Sequence, residues 1–237
     1  MQRYWSIAWC LYALTVPSAL RGEEARFSGP LHWSHESLRS VLPQDTHVLT
    51  EPVSIERFLD ELDGSPPDWP ALYGGGHHDP GHDDRLFALN RERDAKREGK
   101  GALSWIITFV WEGALSHYDS DAGGFPVAMG PKFISTRWGV VRFKPEEAPG
   151  NLVVVVQAEE RERLQRVMEQ RRRLDIDVVM TGRLIPEESL VYDFSHEEEG
   201  RGMIMPFVRI QRVDFLLPGT EGGKTTPLIP DKSHELS

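Results

Sequence analysis

Residues 104–115 read SWIITFVWEGAL, and this run is the strongest indication of the fold class of the chain. It is rich in β-branched and aromatic residues, which favour β-strands. Trp105, Phe109 and Trp111 occupy odd-numbered positions, so in a strand their side chains share one face. We expect that face to lie in the core of a β-structure. If it faced outwards, it would be a binding surface for the N-terminal segment or for another protein, because large exposed apolar patches usually have a function.

Four more strands and one helix are predicted downstream of this run. The strands are expected at 132–143, 152–156, 177–185 and 205–217. Residues 158–173 predict a helix, because glutamates occupy its first turns and arginines its last turn, an arrangement that complements the helix dipole. The predicted order is therefore three strands, a helix and two strands.

This order of elements resembles the OB-fold, a five-stranded Greek-key barrel with a helix between strands three and four. Gly139 lies in the long second strand, where such barrels often bend sharply. The runs VVMTGRLIP (178–186) and MPFVRIQRVDFLL (205–217) look like the closing strand pair of OB domains. An α+β sandwich would give the same order of elements. The predicted fold class is α+β, mainly β, with an OB-like barrel over 102–217.

Residues 23–101 are predicted to form an α-helical extension in front of the barrel. Its helices are expected at 37–42, 53–62 and 83–98. Residues 64–82 read GSPPDWPALYGGGHHDPGH and predict a loop, because glycine and proline interrupt regular structure. Residues 218–237 have the composition of a flexible tail.

Residues 1–22 have the layout of a secretory signal peptide. They contain no acidic residue, carry Arg3 near the start and are apolar from Tyr4 to Val16. An apolar helix of this length is about 20 Å long, shorter than a bilayer core of about 30 Å, so no permanent membrane span is expected. We therefore expect the protein to be exported, to a periplasm or as a secreted protein. The alternative is an ordinary buried N-terminal helix.

The single cysteine, Cys10, lies within this predicted signal peptide. A chain cleaved after residue 22 would contain no thiol. Disulfides, thiolate metal sites and cysteine nucleophiles are therefore excluded from the mature protein that we predict.

The charge balance bears on the kind of partner. The chain has 237 residues with 27 Lys and Arg against 37 Asp and Glu, a net charge of −10. Nucleic acid is disfavoured as a partner, because binding to the phosphate backbone depends on clustered Lys and Arg. A cation or a basic protein surface suits the acidic segments better.

The OB resemblance points to a particular ligand-binding region. In such barrels, ligands bind the face of strands two and three and the loops that join strands one to two and four to five. The candidate ligand-binding residues in those loops are His117, Asp119, Asp121, His196 and Glu198. Imidazole and carboxylate groups suit a divalent cation if the two loops meet at the barrel mouth. The alternative is that these acidic loops are only solvated.

A second candidate is the run HHDPGHDD at 77–84. It places several possible ligands for a transition metal in one short segment, so a divalent metal is a possible cofactor. The candidate metal ligands are His77, His78, Asp79 and His82. The alternative is a polar loop whose last two aspartates cap the next helix.

Motifs of catalysis do not occur in the chain. It contains no Gly-x-Ser-x-Gly elbow, no phosphate-binding Gly-x-x-x-x-Gly-Lys loop, no dinucleotide fingerprint and no His-Glu-x-x-His pair. We therefore predict an exported, non-enzymatic binding or assembly protein that uses the barrel face and its acidic loops. The alternative function is a metal-binding or metal-dependent periplasmic protein that uses the loop from His77 to His82.

Overall fold

A computed structural model describes residues 27–74, 79–148, 150–170, 173–195 and 201–217. The predicted signal peptide (1–22) and the predicted tail (218–237) lie outside these ranges. The described strands are β1 (Phe27–His32), β2 (Thr46–Val48), β3 (Ile106–Leu115), β4 (Phe125–Gly130), β5 (Ile134–Thr136), β6 (Gly139–Val141), β7 (Lys144–Glu146), β8 (Leu152–Val155), β9 (Leu174–Leu184), β10 (Leu190–Phe194) and β11 (Gly202–Leu216). The described helices are α1 (His35–Val41), α2 (Pro52–Asp63), α3 (Trp69–Tyr73), α4 (His82–Arg97) and α5 (Ala158–Gln170), with short 3-10 turns at Gly101–Ser104 and Pro186–Glu188.

Six strands form a closed β-barrel, in the order β1-β8-β4-β3-β9-β11 and back to β1. Neighbouring strands are antiparallel, except that β1 runs parallel to both of its neighbours, β8 and β11. The other strands extend the sheet: β2 pairs with β3, β5 pairs with β6, and β6, β7 and β10 pair with β11. The predicted mixed fold, mainly β and built on a barrel, is confirmed at this level.

The barrel has a sixth strand that the local pattern did not predict. Residues 27–32, read as part of a helical extension, form β1 between β8 and β11. Gly29 and Pro30 disfavour a strand locally, and only pairing with distant strands makes the segment extended. Gly29 fits this place because a Cβ there would lie 2.7 Å from the carbonyl oxygen of Val213. The prediction of a helical extension holds for α1, α2 and α4 but is wrong for β1 and β2.

The second barrel strand also differs from the prediction. It is β4 and not residues 132–143, which hold the short hairpin of β5 and β6. Glycines and Pro126 give the β4 region the composition of a loop, and its pairing with β3 and β8 overrides that composition. Gly139 has a φ of +135°, and a Cβ there would overlap the carbonyl oxygen of Gly202. It therefore begins β6 after the hairpin turn and does not bend one long strand.

The remaining predicted elements are confirmed to within a few residues. β3, β8, β9, β11 and α5 match the predicted strands and helix, and α5 lies between β8 and β9 as expected. The predicted apolar stripe of the first strand lies in the core at Phe109 and Trp111, while Trp105 is partly exposed and stacks on His47 with ring centres 3.8 Å apart. The segment predicted as a loop at 64–82 contains the five-residue helix α3.

Helix α2 joins the first half of the chain to the barrel core. Pro52 lies in its first turn, and Gly64 ends it with a φ of +79°, a conformation that glycine adopts without strain. Its buried side chains are spaced at helical intervals and belong to the same core cluster as the barrel: Ile55, Phe58, Leu59 and Leu62. Among the helices described, none is long and apolar enough to cross a membrane.

A buried polar network attaches α4 to the barrel. The Arg97 Nε donates to Asp63 Oδ1 at 2.8 Å, and its Nη1 donates to Ser189 Oγ at 2.9 Å. The Tyr192 hydroxyl donates to the same Asp63 carboxylate. Burial, together with the adjacent Asp63 carboxylate, raises the pKa of Tyr192, so its hydroxyl stays protonated. The charged atoms of this network are shielded from solvent, with side-chain exposures of 2% for Arg97 and 0% for Asp63, so its role is structural.

Candidate functional site

The loop between β3 and β4 contains three of the predicted ligand-binding residues, His117, Asp119 and Asp121, and all three are exposed. The Asp119 carboxylate accepts hydrogen bonds from the backbone N–H groups of Asp121 and Ala122 at 2.8 and 3.2 Å. Asp119 also forms a backbone bridge with Gly124. The Asp119 carboxylate therefore stabilises the conformation of its own loop.

The second predicted loop connects β10 to β11, and its residues His196 and Glu198 lie outside the described residues. Phe194 and Gly202 pair where this loop leaves the start of β11. The β3–β4 loop leaves after Leu115, at the level where β9 pairs with the end of β11. β11 is 15 residues long, which corresponds to about 45 Å of strand at about 3.3 Å per residue. The attachment points of the two loops thus lie at opposite ends of β11, and the strand register does not bring them to one mouth.

The histidine-rich segment is described only in part, because His77 and His78 lie outside the described residues. The Asp79 carboxylate pairs with Arg85 at 2.7 Å and accepts from the backbone N–H of Gly81 at 2.9 Å. The His82 Nδ1 lies 2.7 Å from the carbonyl oxygen of Asp79. These contacts shape the start of α4. No group of three or more metal-ligating side chains occurs in the part of the chain that the structure describes, so the metal site stays a prediction, which calorimetric titration with zinc, copper and calcium tests.

The outward-facing side of β3, β9 and β11, here called the outer wall, has a like-charged pair near each of its ends. Arg183 on β9 lies directly opposite Arg209 on β11, and Asp177 on β9 lies directly opposite Glu112 on β3. The two pairs are separated by about 20 Å of β9, at about 3.3 Å per residue. Like charges directly opposite each other destabilise a sheet. Each pair is therefore expected to lower the stability of the fold locally.

The arginine pair lies in a groove of about 520 Å³, here called the basic groove. Its cationic lining residues are Lys100, Arg183 and Arg209, and none of its lining residues is acidic. Apolar atoms form much of the rest of its surface, from Leu103, Leu184 and Pro186. A volume of about 300–1,000 Å³, an apolar lining and a few converging polar groups are typical of small-molecule sites.

The positive charge of the basic groove is only partly compensated. Lys100 donates to the carbonyl oxygen of Leu62 at 2.6 Å, and Arg183 donates to the carbonyl oxygen of Ser104. Across the described ranges, neither cation has a carboxylate within ion-pair distance. The Arg209 Nε lies 3.4 Å from the carboxylate of Glu147, and both of these side chains are more than half exposed. The groove therefore presents positive charge to solvent in a chain whose net charge is −10.

Gly182 allows β9 and β11 to approach closely beside the basic groove. A Cβ on Gly182 would overlap the carbonyl oxygen of Arg209. The register of the two strands also shifts between Ile210 and Arg212, which marks a bulge in β11. The two arginines lie directly opposite each other because glycine at position 182 lets β9 and β11 approach closely.

The acidic end of the wall gives a prediction about pH. Burial raises the pKa of Asp177, and Glu112 adds to this, whereas Lys132 and His35 act against it. Above the folded pKa, Asp177 is ionised, and its raised pKa means that ionisation lowers the free energy of unfolding. This loss disappears as the pH falls below the unfolded pKa of about 3.9, where the carboxyl group is protonated in both states. We expect Asp177→Asn to raise the free energy of unfolding at pH 7 by up to about 1 kcal/mol, with the gain lost in acid.

Urea denaturation at several pH values measures this effect. Asp175→Asn is the matched control, because the Asp175 side chain is exposed and pairs with Arg173 at 2.6 Å. That change should leave stability unaltered or slightly lower. A loss of stability at pH 7 in the Asp177 variant would contradict the prediction.

The basic groove was not predicted from the sequence. Arg183 and Arg209 lie in the two runs that resemble closing OB strands, and alternation alone could have placed each on an outer face. Nothing local in the sequence shows that the two are directly opposed. The fold and the groove together define a closed β-barrel protein with a basic surface site. Comparison with family models, curated proteins and solved structures finds no match for this chain.

Proposed function

We propose that this chain is a non-enzymatic binding protein that holds an anionic ligand in the basic groove. The observation that carries the proposal is the direct opposition of Arg183 and Arg209 across β9 and β11. An anion between the two guanidinium groups replaces repulsion with charge-assisted hydrogen bonds, which are about twice as strong as neutral ones. The planar guanidinium also matches the geometry of carboxylate and phosphate groups.

The apolar part of the groove indicates what the anion is attached to. Leu103, Leu184 and Pro186 line the groove beside the cations. Burying apolar ligand surface against them adds about 25 cal/mol per Å². The ligand we propose is therefore a small organic anion with an apolar body.

We also propose that the barrel is OB-like, with one addition. Around the barrel, the five strands other than β1 have the order β8-β4-β3-β9-β11, and α5 follows β8, the third of the five in the chain. β1 lies between β8 and β11 and completes the closure. This arrangement supports an OB-like barrel with an inserted strand.

The usual ligand face of such barrels gives less support than the groove does. Strands β4 and β8, the second and third strands of the OB-like order, contain no Lys or Arg, and they expose small or apolar side chains such as Ala128 and Val155. Single-stranded nucleic acids need cations and exposed aromatic rings at this face. We therefore place ligand binding at the outer wall of β9 and β11, and we do not propose a nucleic-acid partner.

Matched probes test the proposed function. Naphthoate, naphthyl phosphate and uncharged naphthylmethanol share one apolar body and differ in charge. We expect calorimetric titration to detect both anions and not the alcohol, with weaker binding at high salt because screening reduces the attraction. Arg183→Gln should lower the affinity about tenfold or more, since a hydrogen bond to a charged group is worth about 1.5–3 kcal/mol and 1.4 kcal/mol is a factor of ten.

The same variant should become slightly more stable as it loses affinity. Removing one of two opposed arginines relieves about 0.2–1 kcal/mol of repulsion, which urea denaturation measures. Arg166→Gln is the control, because this exposed arginine on α5 gives the same change in net charge away from the groove. Equal anion binding by the wild type, Arg183→Gln and Arg166→Gln would show that the groove is not the site.

Export of the protein is a separate part of the proposal. It rests on the signal-like composition of residues 1–22. Expression of the full chain followed by N-terminal sequencing tests it. A product that begins near residue 23 outside the cytoplasm is expected, and an uncleaved product in the cytoplasm would contradict it.

A further inference from the structure

Glu147 lies at the edge of the basic groove in a strained backbone conformation. Its φ is +60°, and it is the one non-glycine residue with a positive φ among the described residues. The left-handed region is disfavoured for residues that carry a Cβ, because the Cβ crowds the following carbonyl oxygen. A strained residue outside a glycine position is often found at a functional site.

The strain accompanies a contact with the groove. The Glu147 carboxylate lies 3.4 Å from the Arg209 Nε. The preceding residue, Glu146, ends β7 and lies opposite Arg209 in the strand register, but its own carboxylate lies 3.7 Å from Lys144. Of the two neighbouring acids, it is therefore the strained one that contacts a groove arginine.

The contact is weak enough to be replaced. The side chains of Glu147 and Arg209 are 68% and 57% exposed. Exposed ion pairs contribute little to stability, because water screens them and both side chains lose freedom. The carboxylate can leave Arg209 without becoming buried, so an incoming anion competes with it directly.

We infer that Glu147 is a built-in competitor for the basic groove and that the ligand is an organic carboxylate whose acid group takes the place of the Glu147 carboxylate on Arg209. This inference rests on the function proposed above. The neighbouring Glu146 and the displaced Glu147 keep negative charge near Arg209. A head group with one negative charge is therefore preferred to a phosphate with two.

Titration of charge-matched variants with naphthoate tests the inference. Glu147→Gln removes the competing charge, and we expect naphthoate to bind about threefold tighter, within the range that an exposed ion pair allows. Glu147→Gly should bind at least as tightly and should also unfold at a higher urea concentration, because glycine relieves the strained φ. Glu187→Gln is the control, because it removes the same charge from an exposed residue that follows the groove residue Pro186 but does not contact Arg209. Its effect on the affinity for naphthoate should stay below twofold.

The outcomes separate this inference from the proposed function. If Arg183→Gln lowers the affinity about tenfold or more but Glu147→Gln leaves the affinity unchanged or lowers it, Glu147 is not a competitor and the groove remains the proposed site. If naphthyl phosphate binds the wild type more tightly than naphthoate, the preference for a carboxylate is overturned. If neither the wild type nor Glu147→Gln binds any of the probes, the proposed function and this inference both fail.

Discussion

Arg97→Met is expected to lower the free energy of unfolding by about 3–5 kcal/mol, the usual cost of removing one partner from a buried ion pair. The change leaves the Asp63 carboxylate in a position with no solvent exposure and without its cation. It also removes the hydrogen bonds from Arg97 to Ser189 and to the carbonyl oxygen of Leu190. Domains of this kind have about 5–15 kcal/mol of total stability, so urea denaturation should show a large shift.

Two further variants give this prediction its controls. Lys96→Met alters the neighbouring residue of α4, whose exposed ammonium pairs with Glu92, and should change stability by less than about 0.5 kcal/mol. The double variant with Asp63→Leu and Arg97→Met should recover part of the loss, because it leaves no unpaired buried charge. The Arg97 Nη2 has no hydrogen-bond partner within the described structure, so the wild-type network is itself incompletely satisfied. A single variant as stable as the wild type would mean that the network does not hold α4 to the barrel.

Gly182→Ala is the second change with a large expected effect. The added methyl group would overlap the carbonyl oxygen of Arg209, a backbone atom of the neighbouring barrel strand. Overpacking of this kind costs about 1–3 kcal/mol, and we expect the upper end because the obstructing atom is held in the barrel ladder. The affinity for naphthoate should fall as well, since moving β9 away from β11 separates the two arginines.

Gly130→Ala is the matched control for this change. Gly130 also lies in a barrel strand, but a Cβ there would meet no atom within 4 Å. We expect less than about 0.5 kcal/mol of change and unaltered binding. If Gly182→Ala is equally mild in denaturation and binding, the close approach of the two strands is not required for the groove.

The two ends of the outer wall both carry like-charged pairs but differ in what surrounds the pair. At one end, Glu112 of the Asp177–Glu112 pair lines a smaller groove of about 330 Å³ that also contains Arg173, so its lining carries both signs of charge. At the other, the repulsion between Arg183 and Arg209 coincides with the basic groove and with the strained residue Glu147. The coincidence of these three features is the reason that we propose the basic end as the ligand site.

Elements with local patterns were predictable from the sequence. The apolar spacing of α2 and the charged termini of α5 predict helices because each residue's neighbours lie three or four positions away. The β-branched runs of β3, β9 and β11 predict strands because alternation is visible within a single segment. These patterns were sufficient for a mainly β fold with a helix between the third and fourth predicted strands.

The strand that closes the barrel and the residues that form the groove depend on contacts between distant segments of the chain. The segment FSGPLH is a strand only because β8 and β11 supply hydrogen-bond partners more than 100 residues away in the chain. Arg183 and Arg209 become a site only through strand register, which is a property of two segments together. The carboxylate of Asp119, one of the ligands predicted from the sequence, accepts hydrogen bonds from the backbone of its own loop. Hydrogen-bond partners within a helix are local, whereas those of a strand and the neighbours of its side chains come from distant parts of the chain, and so they appear only when the barrel has formed.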